Sequence, residues 1–441
     1  MPLNLYPAPL AATAAALRAG DLDPVAYAAE LCDRAEAIDG DILALLPEHG
    51  RRERLRAEAA ALRERWPDPA ARPPLYGIPI GVKDIFRVDG FPTRCGSALP
   101  PELFAGPEAE SVALLRAAGA LVLGKTVTTE FAASEPGATA NPRNLAHTPG
   151  GSSSGSAAAV AAGLCPLALG SQTVGSVIRP AAFCGVVGYK TSYGRIPIGG
   201  IIPYSPSVDH VGLFTQDVAG MRLAASVLCD HWRPDAALLP DRKPILALPD
   251  GPYIAQATAD GLGALERQIA TLEGAGYTVK RVPIFAEIAA ITERHRRLTV
   301  AEVAQVHREW FAGHAALYRP RTVGLIRDGQ TVGADELAAA LAGRLALRAE
   351  LDAALRAAGA DLWLAPPARG VAPAGLGATG DPIVNAPWTH AGVPALTVPA
   401  GHDAQGLPFG AQLIAPHGAD EALLAWAEPL AAILGGVGLV G

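Results

Sequence analysis

Residues 148–190, TPGGSSSGSAAAVAAGLCPLALGSQTVGSVIRPAAFCGVVGYK, constrain the fold more than any other part of this chain. From position 144 to 178 there is no Asp, Glu, Lys or Arg, yet the stretch holds eight Ser and Thr hydroxyls and clusters its glycines near both ends. A membrane span needs roughly 20 mostly apolar residues. The apolar part here, 157–169, is too short, is broken by Gly163 and Pro166, and is flanked by hydroxyl-rich loops. The pattern instead describes a buried scaffold with a polar loop at each end. Residues 150–155 form the first loop, 156–162 an Ala-rich helix closed by Gly163, 165–169 an inner strand and 170–179 the second loop. Small residues let backbones approach closely, and loops on a rigid scaffold are where chemistry tends to sit.

Two short motifs in the chain do not fit their usual contexts. Residues 119–126, GALVLGKT, satisfy the GxxxxGK[ST] phosphate-loop pattern, but a helix pattern precedes them and Ala-Leu-Val-Leu is strand material rather than an exposed turn. Residues 151–155, GSSSG, satisfy the GxSxG elbow, which must follow a strand; Thr148-Pro149-Gly150 is poor strand material. His390, His402 and His417 could complete an elbow triad only from ordinary loop contexts. No HExxH and no Cys/His cluster is present, so no metal is expected and each His reads as structural or solvent-facing. Cys95 and Cys184 have apolar neighbours and read as inert buried thiols.

The ordered set of motifs resembles the amidase signature hydrolases. The matching residues are Gly150 to Ser153, Gly175-Ser176 and Arg179-Pro180-Ala181-Ala182-Phe183-Cys184-Gly185. They extend outward to Pro79-Ile80-Gly81-Val82-Lys83-Asp84, Gly124-Lys125-Thr126, Glu130-Phe131, Gly406-Leu407-Pro408 and Gln412. The resemblance implies the amidase signature fold over residues 1–441: a single α/β/α layered domain with a mixed central β-sheet covered by helices. Its core would lie at about 70–220 and 360–430; the helices at about 285–358, the least family-like region, are expected to cover the pocket. It further implies a Ser-Ser-Lys triad: Ser176 as nucleophile, Ser152 as bridging serine after a cis Gly151–Ser152 peptide, and Lys83 as base. Ser153 would support the lysine, and backbone N–H groups of Thr173, Val174, Gly175 and Ser176 would meet the oxyanion. The chain departs from the family pattern at Gln172 (usually Asp), Val174 (usually Gly), Ile178 (often Arg, here displaced to Arg179) and Ser154 (often Gly).

The residues themselves are consistent with that chemistry. Amide hydrolysis needs a nucleophile, a base, an acid for the leaving amine and donors for the oxyanion. A lysine acts as base only when neutral, so its pKa must fall well below about 10.4, and burial does that. The apolar run 77–82 leading into Lys83 could supply the burial. The alternative for Lys83 is a surface lysine in a salt bridge with Asp84.

In chain order, 24–37, 51–66, 108–118, 257–274, 288–318 and 335–358 read as helical, and 73–82, 120–123, 244–249, 277–282, 362–365 and 395–399 as strands. Residues 193–217 are Gly/Pro-rich and are expected to wind around the site. Half the residues are hydrophobic and only 18% charged, enough apolar material for a large core. A net charge of −7 excludes an evident nucleic-acid or anionic-membrane surface. Five cysteines without CxxC spacing read as reduced thiols, and the N-terminus shows no basic stretch before an apolar core, so a cytoplasmic location is expected.

The expected function is an amidohydrolase that cleaves a small linear carboxamide to acid and ammonia or amine. No cofactor is expected, and the partners reduce to the amide itself and at most a second copy of the chain. The alternatives are the glutaminase-like component of a tRNA-dependent amidotransferase and a non-catalytic binding protein on the same fold. Pocket walls offering Tyr193, Tyr204, Trp310, Phe311 and Trp388 suggest a neutral, partly apolar amide.

Overall fold

The computed structural model describes residues 7–237 and 242–435. Ten strands form one mixed sheet: β1 (Pro79–Lys83), β2 (Leu121–Thr126), β3 (Leu167–Gln172), β4 (Val187–Lys190), β5 (His210–Thr215), β6 (Ile245–Asp250), β7 (Thr278–Pro283), β8 (Leu362–Ala365), β9 (Ala395–His402) and β10 (Pro408–Ile414). Their order is β2-β1-β3-β5-β4-β9-β10-β8-β6-β7. At one edge β2, β1 and β3 run parallel, and at the other β8, β6 and β7 do. The pairs between β3 and β8 are antiparallel. Every residue of β1, β2 and β3 is buried, as expected for strands covered by helices on both faces.

The uncharged stretch folds largely as its composition dictates. The Ala-rich helix spans Ser154–Ala161, starting two residues earlier than expected, and all eight residues are buried. It packs on β1, β2, β3 and β5 and on the helix Ile178–Cys184. Because β3 continues to Gln172 and the next helix begins at Ile178, the second loop shrinks to residues 173–177. Gly185, at φ +66°, closes that helix in the left-handed region.

Several elements differ from expectation. The segment 193–217 contains β5, and neither β4 nor β10 reads as a strand from its sequence. Their patterns are interrupted by Gly188, Gly212 and Gly410, which weaken a strand signal. A Cβ at Gly212 would lie 2.3 Å from Val177, so the glycine there serves close packing behind the second loop. The helices Leu10–Ala19, Val218–Leu228, Pro320–Gly329 and Asp420–Gly435 are likewise additions of the structure.

The helices Ile288–Val306 and Ala334–Ala358 pack against each other and against the short helix Ala386–Ala391. The helix Pro320–Gly329 packs on Ile288–Val306, and Glu130, in the turn after β2, anchors its start. The Glu130 carboxylate accepts from the Arg319 N–H at 3.1 Å and from the Thr322 hydroxyl at 2.5 Å, while Glu135 accepts from the Arg321 N–H at 2.6 Å. Among the described residues no helix is long and apolar enough to cross a membrane.

Gly155 provides a test of this packing. A Cβ there would lie 2.2 Å from the Ala44 carbonyl oxygen and 2.4 Å from the Val127 nitrogen, both backbone atoms that cannot swing aside. Gly155→Ala should therefore lower unfolding stability by at least about 1–3 kcal/mol, the usual cost of overpacking, as read by denaturant titration. An unchanged midpoint would show that the helix does not sit this close to the 44–45 and 127 backbone.

Candidate active site

Lys83, the last residue of β1, is wholly buried and bonds only to hydroxyls. Its Nζ lies 2.7 Å from Ser152 Oγ, 3.1 Å from Ser153 Oγ and 2.8 Å from Ser171 Oγ. Asp84 does not pair with it. Asp84 instead binds Lys125 at 2.7 Å, so the salt bridge considered for Lys83 belongs to the lysine of the GKT triplet. Lys125 lies within β2, so GKT there is strand and not a phosphate-binding turn.

Burial drives the Lys83 pKa from 10.5 down to about 7, opposed by the charge of Asp209. A neutral amine has two N–H donors and one lone pair. Ser153 already donates to the Ser171 carbonyl at 3.2 Å, so toward Lys83 it accepts. The hydroxyls of Ser152 and Ser171 remain as possible donors to the lone pair, and Ser152 is the closer of the two. The Gly151–Ser152 peptide is cis, in agreement with the resemblance.

Ser176 sits half-buried on the 173–177 segment, and its hydroxyl makes no hydrogen bond among the described residues. The peptide groups around it are tied down on one side. The Thr173 carbonyl is 2.9 Å from His295 Nε2, the Val174 carbonyl accepts from the Thr389 hydroxyl at 2.6 Å, and the Gly175 carbonyl accepts from the Arg179 N–H at 3.1 Å. The N–H groups of Val174, Gly175 and Ser176 have no acceptor among the described residues. In a trans peptide, C=O and N–H point in opposite directions. Each anchored carbonyl thus fixes the direction of the free N–H in the same peptide.

Gly175 is required sterically: a Cβ would lie 2.3 Å from Asn385 Oδ1. Gln172, where the family usually has aspartate, uses its side-chain oxygen to accept from the N–H groups of Val177 at 2.8 Å and Ile178 at 3.0 Å. Its amide donates to Thr389 at 3.0 Å. The carboxamide caps the start of the 178–184 helix, a task for which only an acceptor is needed.

The structure adds participants that the sequence does not reveal. Ser171 contacts Lys83 directly. Asp209 accepts from Thr173 Oγ1 at 2.5 Å and from the N–H groups of Tyr204 and Ser205. His390, expected in an ordinary loop, lies instead in the helix Ala386–Ala391, fully buried, with its Nδ1 3.2 Å from His295 Nδ1. No local motif marks these residues, because the contacts to Lys83, Thr173 and His295 join positions 88, 36 and 95 residues apart.

The expected aromatic walls divide into packing clusters. Trp388 is buried against Tyr253, Phe285 and Trp363, and Trp310 packs with Phe104, Phe131 and His307. Tyr204 lines a small cavity with Ile85, Ser171, Ile198 and Asp209. All five cysteines are free and buried, and burial pushes the Cys184 thiol up to about 12.

Known proteins resemble this chain over nearly its whole length. The family profile described as Amidase matches residues 26–424. The A subunit of the glutamyl-tRNA(Gln) amidotransferase of Synechococcus sp. (strain WH7803) is 34% identical, over 86% of this chain and 88% of that protein. A crystal structure of an amidase superposes with a TM-score of 0.87 at 31% identity, covering 97% of this chain and 100% of that one. The native peptide amidase from Stenotrophomonas maltophilia superposes with a TM-score of 0.81 at 28% identity, covering 97% and 96%. The chain belongs to the amidase family, whose members hydrolyse carbon–nitrogen bonds of amides.

Proposed function

We propose that this amidase hydrolyses a small linear carboxamide to a carboxylic acid and ammonia or amine through an acyl-enzyme on Ser176. The observation that carries the reading is the buried Lys83, hydrogen-bonded to hydroxyls and to no carboxylate, 2.7 Å from Ser152. Neutral Lys83 takes the Ser152 proton as Ser152 takes that of Ser176, and Ser176 Oγ attacks the amide carbon. The N–H groups of Val174, Gly175 and Ser176 hold the developing oxyanion. As the C–N bond breaks, Ser152 returns a proton to the departing nitrogen and is resupplied by Lys83. Water then attacks the acyl-enzyme along the same proton path, releasing the acid. Ser153 and Ser171 hold the amine in place.

One observation favours a second reading of the substrate, as a carboxylate-bearing amide. Arg179, one helical turn beyond Ser176, is buried, and its Nη2 donates to the Gly151 carbonyl at 2.6 Å. Its Nε and Nη1 have no hydrogen-bond partner among the described residues, and Asp381, the carboxylate whose charge reaches it, is bonded to Arg369. Burial lowers its pKa to about 10, which leaves it charged at neutral pH. A buried, unpaired charge is costly, and a substrate carboxylate would offset that. Glutamine is such an amide, which also keeps the amidotransferase reading in view.

Three tests follow from this chemistry. Ser176→Ala or Lys83→Ala should lower kcat/KM by about a thousandfold or more with the fold intact, and Ser152→Ala somewhat less, because groups acting as one unit lose most of their effect together. A folded Ser176→Ala enzyme with full activity would move the nucleophile to Ser153.

In the pH profile, the active form of Lys83 is the neutral one, so the rate should rise with pH and level off above a midpoint near 7. Asp209 favours the charged amine, so Asp209→Asn should move that midpoint down. A midpoint near 10 would mean that Lys83 is not desolvated.

Ammonia release should be screened across neutral aliphatic, aromatic, amino-acid and carboxylate-bearing amides. The second reading expects the last class to be preferred, and Arg179→Met to raise its KM selectively. Preference for neutral amides would return the substrate to the apolar class, and activity confined to glutamine in the presence of co-purifying proteins would select the amidotransferase.

A further inference from the structure

His295 and His390 are buried side by side behind the 173–177 segment, 2% and 0% exposed. Their ring nitrogens leave one consistent neutral arrangement. His295 Nε2 faces the Thr173 carbonyl, which can only accept, so that nitrogen carries the proton. His295 Nδ1 is then a bare lone pair, and the group facing it at 3.2 Å is His390 Nδ1, which must donate. His390 Nε2 is left without a proton and without a partner, buried. The chain of bonds thus runs from His390 Nδ1–H to His295 Nδ1, and from His295 Nε2–H to the Thr173 oxygen.

We propose that His295 and His390 form a tautomer-locked pair of positioning residues that aims the Val174 N–H at the oxyanion. Peptide geometry supplies the link: the carbonyl His295 holds and the Val174 N–H belong to one trans peptide. Thr389, next to His390 on the helix 386–391, holds the following carbonyl. One short helix and one residue from the 288–306 helix together set two of the three free donors. The inference rests on the reading of 173–176 as the oxyanion segment.

The surroundings keep the pair neutral. Burial lowers the His295 pKa to about 4 and the His390 pKa to about 2. The charged groups facing them are Arg344 from the helix 334–358 and Arg294 from the 288–306 helix, both opposing a further positive charge. Arg344 also donates to the His390 carbonyl at 3.3 Å, and Asp209 lies on the far side of Thr173, bonded to its hydroxyl. A neutral donor holds Thr173 without adding a cation whose ionisation would disturb the nearby lysine.

The test compares variants of the full-length enzyme. His295→Leu removes the donor, whereas His295→Gln can place an amide N–H where Nε2 was. Loss of one oxyanion donor costs about 100- to 1000-fold in enzymes of this chemistry; misaiming one should cost about 10- to 100-fold. His295→Leu should therefore lower kcat/KM by about 10- to 100-fold. It should weaken a tetrahedral-adduct inhibitor such as a boronic acid by a similar factor, and leave KM for the amide nearly unchanged. His295→Gln should recover most of the loss, and His390→Leu should fall between the two. A role in stability alone would lower the melting temperature of His295→Leu without the matched loss in boronic acid affinity. In the wild-type enzyme, 15N NMR should find His295 protonated on Nε2 only and His390 on Nδ1 only, from pH 6 to 9.

Wild-type kcat/KM in His295→Leu beside an inactive Ser176→Ala would overturn the positioning role alone. An active Ser176→Ala would remove the underlying reading and the proposal with it. If His295→Leu does not fold, His295→Gln and the tautomers decide, and an imidazolium or an Nδ1-protonated His295 would overturn the proposal.

Discussion

A primary amine held in the interior by hydroxyls alone is the constraint on which this site depends. Lys83 is hydrogen-bonded to no carboxylate: Asp84, its sequence neighbour, is committed to Lys125, and Asp209 acts on it through its charge alone. Displacement of its pKa from 10.5 to about 7 corresponds to roughly 5 kcal/mol against charging. The fold sustains this through β1, whose apolar residues and wholly buried position between β2 and β3 carry the lysine inward. Two serines from the first loop and Ser171 of β3 then satisfy the amine without neutralising it as a base. The desolvation that would be a liability elsewhere is what makes a lysine useful at neutral pH.

The proposed oxyanion donors take their direction from the tying back of the opposite ends of three peptides. Thr173, Val174 and Gly175 each have their carbonyl held, by His295, Thr389 and the Arg179 N–H respectively. Two of those three anchors come from helices distant in sequence, 288–306 and 386–391, which pack against each other. The helix Ile288–Val306 thus contributes directly, through His295, to holding the segment that carries Ser176. Gln172 performs a separate local task, capping the 178–184 helix, which accounts for its place where an aspartate is usual.

How much of this is legible in the sequence follows from the range of each interaction. The Ala-rich helix, β1, β3 and β8 can be read because their composition and spacing are local. Lys83, Ser152 and Ser153 stand out in short motifs, and the structure brings all three together. β4, β5 and β10 are not legible because Gly188, Gly212 and Gly410 interrupt their apolar runs for reasons of packing against other elements. His295, His390, Thr389 and Asp209 carry no signal, since each acquires its partner only through tertiary contact. The aromatic residues mislead in the opposite sense: Trp310 and Trp388 look like pocket walls in sequence but fill packing clusters.

The measurement that bears most directly on this account is an NMR titration of the Lys83 amine in selectively labelled enzyme, assigned by its loss in Lys83→Met. The account predicts a midpoint near 7, with the neutral amine dominant above pH 8. A midpoint above 10, as for an exposed lysine, would show that Lys83 stays charged under working conditions and cannot be the base.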